Sequence, residues 1–397
     1  MKVIERDVVV VGGGPAGSIC SAYLARAGVD VLLLDKETFP RDKPCGDCQS
    51  GVSCIILKEL GWLDGLREIS YENNGIIITS PDYTALKVTA PFRGMRYDTP
   101  RRIFDHFLVK NAVKDGAELL EECWVYDVIK EDGYVRGVKA KYQGQPIEIR
   151  AKVVIGADGS HSIVAQKIGM FPDFDNTVAV VGRCYYGDVD MEAYNEIHFD
   201  GGVLPGYVWI FPEKDKLANV GLGFTRATYP RDNKTLSQQL DEWIERSPFG
   251  EKLRGKKRIG EFRGWRIPDG IQRMDNYVPG CMLIGDAASM VMPATGEGIG
   301  PAMVTGRLAA EIAADALKKN DFSGEFFSQY PRRRDEMYDA KYKSIKAFEN
   351  SFANGDNVNA FVHNLNDNEA AYEGFKRQWF FEAYEEDRRQ KEAEAAN

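Results

Sequence analysis

Two uninterrupted apolar runs, Val8–Val11 and Val31–Leu34, bracket a run of small residues and a helix-like pattern near the start of the chain. Runs without polar alternation are what a parallel strand buried on both faces requires. The order strand, glycine-rich turn, helix, strand over Asp7–Lys36 therefore predicts the opening β-α-β unit of a doubly wound sheet. Two later segments repeat the theme. Val153–Ile155 runs into Gly156, Asp158 and Gly159, with a helix from about Ser162, and Met282–Ile284 runs into Gly285 and Asp286. A second glycine-rich turn, Thr295–Gly300, opens a long helix.

Between these segments the period changes. Val178–Tyr186, Glu196–Phe199, Tyr207–Phe211 and Ala218–Phe224 alternate apolar and polar positions or carry aromatic and β-branched side chains, which predicts strands. Lys234–Ser247 predicts an amphipathic helix, and Arg258–Ile267 a returning strand. The expected product is an antiparallel sheet with one helix. From about Asp321 the pattern is helical, with aromatics at Phe375, Trp379 and Phe380. It closes on a charged stretch from Glu385, read as a solvated helix or frayed tail. The expected domains are a discontinuous one over 1–170 and 270–320, an antiparallel-sheet domain over 171–269 and a helical region over 321–397. Strands near 75–100 are expected to join the side of the sheet domain.

Composition narrows the function class. The chain has 397 residues, 44% hydrophobic and 28% charged, and a net charge of −9. That balance argues against a nucleic-acid binder, whose affinity would rest on neutralising phosphates. No apolar run approaches the roughly 18 residues needed to span a bilayer. The chain enters a strand almost at once, so no signal peptide is expected, and seven cysteines then read as reduced thiols in a cytoplasm.

Gly12, Gly14 and Gly17 form G-x-G-x-x-G directly after the first strand. The first allows the tight turn, the second lets backbone approach a pyrophosphate, and the third lets helix pack on strand. Pro15 and Ala16 begin a helix whose free N–H groups and positive dipole end face the phosphates. Asp35 ends the second strand, placed to accept hydrogen bonds from a ribose, with Lys36 beside it. A dinucleotide is expected here.

The three glycine-rich segments together resemble the FAD-dependent family typified by p-hydroxybenzoate hydroxylase. That resemblance implies an α/β fold with a glutathione-reductase-like, Rossmann-type FAD-binding domain, and an antiparallel sheet laid over the flavin ring as a substrate domain. It implies that Asp286, beside Gly285, holds the ribitol chain and that Asp158 and Gly159 lie near the pyrophosphate. Backbone N–H groups at Gly296, Gly298 and Ile299, with a helix N-terminus behind them, would stabilise negative charge at flavin N1/O2. "TPRRIFDHFL" resembles the family's R-x-x-F-D helix, which assigns Arg101 to the flavin or its phosphates, and Val125 matches a strand position meeting the adenine.

Cys45, Cys48 and Cys54 lie within ten residues of one another. No histidine stands near them to complete a zinc site, so no metal is expected. "FPRDKPCGD" resembles the P-x-x-K-x-C-G-[DE]-G motif of the geranylgeranyl reductase family, although Cys48 stands where that family has glycine. "GYVWIFP" resembles its Y-x-W-x-F-P motif at Tyr207, Trp209, Phe211 and Pro212, and "PATGEGIGPAM", with Pro293, its T-G-E-G-I turn. The resemblance implies reduction of isolated carbon–carbon double bonds in a polyprenyl chain by reduced FAD. The Arg41, Lys43, Cys45 and Gly46 region would line the flavin pocket, with the ring between the Cys45 loop and the Tyr207–Pro212 strand. Cys45, Tyr207 or bound water would supply the proton that an unactivated alkene needs. Tyr207 and Trp209 share one strand face, as a wall for an isoprenoid or as packing for the sheet. Cys45 is likewise open to a purely packed role.

The expected partners are an isoprenoid or lipid-like substrate and an electron donor such as a ferredoxin or NADPH, since no second G-x-G-x-x-G marks an NADPH domain. Peripheral membrane contact follows from such a substrate. Three rivals remain in view. A monooxygenase or halogenase would share the fold, but the halogenase W-x-W-x-I-P is only partly met by Tyr207–Pro212, and their lysine segment has no counterpart. A dithiol oxidoreductase would use Cys45 and Cys48, though such enzymes space their cysteines by four residues. A non-catalytic prenyl-binding protein would need no intact glycines at the flavin motifs.

Overall fold

The computed structural model describes residues 2–381 except 92, 172–177, 226–233, 269 and 271–273, together with Tyr384, Glu385 and Arg388. Most of the charged tail therefore falls outside the described residues. The chain divides into two compact units. The first comprises Met1–Lys43, Arg101–Thr177 and Ile267–Lys346, and the second Pro44–Pro100, Val178–Arg266 and Ala347–Asn397. Residues 44–74 thus fall in the second unit, and the region expected as a separate 321–397 is divided, 321–346 in the first unit and 347–397 in the second.

The first unit is built on a sheet whose parallel core runs, in spatial order, Cys281–Leu283, Gln145–Gly156, Lys2–Val11, Val31–Leu34 and Glu118–Leu120. Its centre is the valine run: Val8–Val11 pairs Val153–Gly156 on one side and Val31–Leu34 on the other. All four valines are at most 5% exposed, as a strand covered on both faces must be. Helices Pro15–Arg26 and Ile299–Lys319 pack on this sheet unit, and their small residues allow a close crossing. A Cβ on Gly306 would sit 2.5 Å from the Ala16 carbonyl oxygen. Strands Cys123–Glu131 and Tyr134–Tyr142 form an antiparallel meander with Gln145–Gly156, of which only Val125 was expected in a strand, and that from the family resemblance.

The second unit holds a seven-stranded sheet in the order Arg258–Pro268, Val178–Tyr186, Ala218–Thr225, Tyr207–Pro212, Asn195–His198, Gly75–Thr79, Ala85–Thr89. The predicted strands all appear within about a residue of their expected ends. One pairing departs from the antiparallel expectation: Asn195–His198 runs parallel to Gly75–Thr79. Helix Leu236–Arg246 covers one face, started by a capping box between Thr235 and Gln238. Its Leu240, Trp243 and Ile244 close a core with Val208, Ile210, Val220, Leu222 and Phe224 from alternate strand positions. A small sheet joins Cys48–Gln49 to Tyr97–Asp98 and Tyr71–Glu72.

Candidate functional site

The first unit assembles a positive cradle over the opening glycine turn. Gly12 has φ of 105°, and a Cβ there would meet the Ala157 carbonyl oxygen at 2.4 Å, so only glycine fits. Gly14 caps helix Pro15–Arg26 with no side chain bonded to its free N–H groups. Space above Gly14 is open; the nearest atoms to a Cβ there are the Arg41 and Arg101 Nη2 groups, at 3.9 and 4.0 Å. Asp105 holds those two arginines together. It accepts from Arg101 Nε at 2.6 Å and Nη2 at 2.8 Å, and from Arg41 Nη1 at 2.9 Å. Burial alone would raise the Asp105 carboxyl, but Arg101 and Arg41 beside it bring it below the usual carboxylate range. Two fixed cations and an uncapped helix N-terminus converging on one open turn are the complement of a diphosphate.

Asp35 is buried, and its two oxygens are partly engaged. Oδ2 accepts from the Gly13 N–H at 2.9 Å and from Arg41, while Oδ1 accepts from the Glu37 N–H at 2.9 Å. Lys36 is exposed. Val125 is buried in its strand, paired with Ala140, two residues beyond the Cys123 N–H that donates to the Asp35 carbonyl. Asp158 spends its carboxylate as a helix cap: it accepts from Ser162 Oγ, from the Ile163 N–H at 2.7 Å and from the Val164 N–H at 3.2 Å. What its turn offers the glycine loop is backbone, since Ala157 and Asp158 Cα are the atoms against Gly12.

The third motif lies in the same unit. Lys43 Nζ donates to Asp286 Oδ2 at 2.8 Å. Burial raises the Asp286 carboxyl, and Lys43 outweighs it, so the net shift is downward. Gly285 places Asp286 at the strand end, with its own N–H donating to Thr305 Oγ1 at 3.1 Å. Gly298 caps helix Ile299–Lys319 without a side-chain bond, and the turn before it runs through Ala294 and Gly296, both at positive φ. Pro293 is buried in that turn. This leaves a second helix N-terminus with backbone donors and a carboxylate beside it: Asp286 Oδ1 is 3.4 Å from where a Gly298 Cβ would be.

The second unit gathers the cysteine loop and the aromatic strand. Alternation puts Tyr207, Trp209 and Phe211 on the sheet face opposite the Val208 and Ile210 core. Their rings touch in sequence, at 6.2 and 6.5 Å between centroids. The series continues from Tyr207 through Phe199, Phe352, Phe361 and Phe375 to Trp379. Trp209 lies over Gly221, where any Cβ would overlap the indole. The Cys45 loop packs on this same face. Asn219 Nδ2 donates to the Cys45 carbonyl at 2.8 Å and to Asp47 Oδ2 at 2.7 Å, while Asn219 Oδ1 accepts from Trp209 Nε1 at 2.9 Å. A Cβ on Gly46 would sit 3.0 Å from the Phe211 ring. The loop and the strand are therefore brought together, but in direct contact at Gly46 and Phe211.

The three clustered cysteines take separate environments, and all seven in the chain are free thiols. Cys54 is buried on helix Gly51–Glu59, where burial pushes its thiol up to about 12. Cys48 pairs in the small sheet and accepts from Arg96 Nη2 at 3.4 Å. Cys45 is half-buried on the loop.

Sequence reasoning missed several polar residues here. Asp47 is wholly buried at positive φ and accepts from the Tyr185 hydroxyl as well as from Asn219. Asp98 is also fully buried, accepting from Asn73 Nδ2 at 2.7 Å and Asn195 Nδ2 at 2.9 Å, and desolvation pushes it up to about 7. Glu213 is 2% exposed. The signal for Glu213 was present, since it continues the odd-numbered face of Tyr207, Trp209 and Phe211. Asp98 and Tyr185 come from distant segments and carried none.

Comparison with known proteins shows the family and the fold. The FAD binding domain family matches residues 5–337. Digeranylgeranylglycerophospholipid reductase 1 of Methanopyrus kandleri is 34% identical, over 84% of this chain and 87% of that protein. Digeranylgeranylglycerophospholipid reductase of Thermoplasma volcanium is 31% identical over 85% of each. A geranylgeranyl bacteriochlorophyll reductase-like protein of Thermoplasma acidophilum superposes with a TM-score of 0.84 at 28% identity, covering 91% of both chains. A flavin-dependent brominase superposes at 0.81 over 97% of this chain and 100% of its own, but at 21% identity shares the fold alone.

Proposed function

The chain belongs to the geranylgeranyl reductase family of FAD-binding proteins, and from that premise we propose that it hydrogenates isolated double bonds in the isoprenoid chains of a glycerophospholipid. The observation that carries this reading is identity of about a third, across nearly the whole chain, to proteins named for that reaction. The halogenase-like neighbours match in fold at about a fifth. Bound FAD, once reduced, supplies the hydride.

The residues on hand fit that cofactor. Two helix N-termini carry no side-chain cap, and the one at Gly14 faces two guanidinium groups held by Asp105. In this reading Gly12, Gly14 and Gly17 with Arg41 and Arg101 hold the diphosphate. Asp35 takes the ribose through the capacity left on Oδ1, and the backbone at Val125 meets the adenine. Asp286, fixed by Lys43, orients the ribitol, and the Gly296–Ile299 amides meet the pyrimidine edge of the ring. Asp158 and Gly159 support the diphosphate turn through backbone, because the Asp158 carboxylate is committed to its helix.

An isolated alkene has no carbonyl to take up negative charge, so a proton must be delivered as the hydride arrives. In the second unit the Cys45 loop packs on the face of Tyr207, Trp209 and Phe211, and in this reading that face is the apolar wall for an isoprenoid, with the Cys45 thiol and the Tyr207 hydroxyl as the two candidate donors. We assign Cys45 the nearer role, because its loop is fixed by Asn219 against that face. Electrons come from a ferredoxin or a docked NADPH. No helix among the described residues is long and apolar enough to cross a membrane, so lipid is reached by peripheral contact in this reading. Anaerobic incubation of dithionite-reduced protein with archaeal-type unsaturated lipid, followed by mass spectrometry, tests the proposal. Products heavier by pairs of hydrogens are expected. Unchanged lipid, or oxygenated or halogenated product on admitting air and halide, would refute it.

A further inference from the structure

Just before strand Gly75–Thr79, the second unit holds a cavity of about 220 Å³ walled by residues of that unit alone. It is smaller than the roughly 300–1,000 Å³ of a drug-sized site, so it suits a compact group and not an isoprenoid chain. It shares no lining residue with the face of Tyr207, Trp209 and Phe211. Asn73 forms a fixed part of the wall: its Nδ2 donates to Asp98 at 2.7 Å, and its Oδ1 accepts from Arg96 Nε at 3.2 Å. The main chain is fixed as well. The Asn74 N–H donates to the Ala193 carbonyl at 2.6 Å, and the Asn74 carbonyl accepts from the Ala90 N–H at 2.7 Å. The cavity therefore stands on backbone whose hydrogen bonds are already made.

Its lining carries donors that the fold does not use. Arg93 is exposed and forms no ion pair among the described residues. The side-chain amide of Asn74 likewise makes no hydrogen bond among them. Thr89 Oγ1 and the Tyr194 hydroxyl lie 3.0 Å apart, and the bond between them consumes one of their two protons, leaving the other to donate. No carboxylate lines the cavity. The acids nearby are engaged: Glu192 pairs with Lys87, whose ammonium lies 4.2 Å from the centre of the Tyr194 ring, and Glu72 accepts from the Gly94 N–H at 2.9 Å. In a chain of net charge −9, a guanidinium, an amide and a hydroxyl around an acid-free cavity are the complement of an anion. A carboxylate would spend both oxygens on the guanidinium fork, whereas a phosphate keeps oxygens for the amide and the hydroxyl. Ala90 and Pro91 add an apolar edge for the few carbons beside it.

We propose that this cavity is a phosphate subsite, filled by the glycerol phosphate head of the lipid substrate. The source of the phosphate rests on the reductase reading above; the anion site itself does not. A polyprenyl glycerophospholipid carries its double bonds along its chains and its charge at one end. A protein that acts on it needs a polar place for the head, apart from the apolar wall for the chains. Asn73 ties the cavity to the small sheet through Asp98, which pairs with Cys48, three positions after Cys45. The head is thereby held on the same scaffold that continues the Cys45 loop.

Phosphorus NMR line broadening on the FAD-loaded protein reads binding apart from activity, with the diphosphate cradle of the first unit already filled. Racemic glycerol phosphate should broaden, and inorganic phosphate less so. Arg93→Ala should weaken glycerol phosphate binding by about tenfold, the loss expected for one charge-assisted hydrogen bond. Arg93→Lys should recover part of it. Asn74→Asp, nearly equal in shape, should abolish binding by placing a carboxylate in the cavity, and circular dichroism checks that each variant is folded. Anaerobic turnover then compares unsaturated phospholipid with the same lipid lacking its phosphate. Arg93→Ala should erase the wild-type preference for the phosphorylated lipid, through KM. No broadening in the wild type, or equal broadening in folded Arg93→Ala and Asn74→Asp, would overturn the site. Inorganic phosphate binding as tightly as glycerol phosphate, with the lipid preference intact in Arg93→Ala, would overturn the assignment to a lipid head. Wild-type protein that reduces no alkene, yet binds glycerol phosphate through Arg93, would overturn the reductase reading and leave the anion site standing.

Discussion

Replacing Asp105 with alanine isolates the electrostatic heart of the first unit. The carboxylate is 0% exposed and receives three charge-assisted hydrogen bonds, all between 2.6 and 2.9 Å. Arg41 keeps a second partner in Asp35, at 3.2 Å, so the loss falls mainly on Arg101, which is 4% exposed. Stripping one partner from a buried ion pair costs about 3–5 kcal/mol. With Arg41 still paired, the low end applies, about 3 kcal/mol. At ~2–4 °C per kcal/mol for a domain of 150–250 residues, that is a fall of about 6–12 °C in melting temperature. Excess FAD should restore part of it, because a bound diphosphate replaces the missing anion beside both guanidinium groups. The ligand-induced rise in melting temperature is therefore expected to be larger in Asp105→Ala than in wild type, although the starting point is lower.

The pH dependence has a definite sign. The folded-state pKa of Asp105 lies below its ordinary value, so its stabilisation is fully present above the unfolded value near 4. It is lost as pH falls through the depressed folded-state value, and the gap between wild type and Asp105→Ala should close there. Thermal melts with and without FAD, from pH 3 to 8, check both points. An unshifted melt together with an unchanged FAD increment would refute the assignment of Asp105 as the clamp on the cradle.

Other expected outcomes follow from the same geometry. Gly12→Ala, whose methyl would lie 2.4 Å from the Ala157 oxygen at a φ of 105°, should purify without yellow colour or fail to fold, as absorbance and circular dichroism will show. Asn219→Ala removes the partner of Trp209 Nε1 and the bridge from Cys45 to Asp47, and should lower stability by about 1–3 kcal/mol in urea titrations. It should also slow alkene reduction, since the Cys45 loop loses its anchor to the strand. Thr235→Ala breaks the capping box of helix Leu236–Arg246 and should cost about 1 kcal/mol while leaving FAD affinity unchanged.

Much of the fold was legible along the chain. The valine run, the glycine turn and Asp35 announced the β-α-β unit because a doubly buried parallel strand and a phosphate-facing turn each need particular residue types in consecutive positions. The alternation of Tyr207 and Trp209 named the face they share, and the amphipathic period placed a helix over Lys234–Ser247, where the chain forms one at Leu236–Arg246. Such features depend on neighbours a few positions apart, so periodicity reports them directly.

What only the folded chain decided is which distant residues meet. Asp105 closed the R-x-x-F-D match with no role assigned to it until Arg41, 64 positions earlier, came to share it with Arg101. Lys43 and Asp286 pair across 243 positions, and Asn219 reaches back 172 positions to Asp47. Asp158 read as a residue near the phosphates, and the structure turned its carboxylate into a helix cap. Burial is the reason in each case. An ionisable group acquires its protonation state and its partners from what surrounds it in space, and that surrounding exists only once the sheets have closed. The sequence alone therefore set the elements, the faces and the glycine turns, whereas the charges that would hold a cofactor were set by tertiary packing.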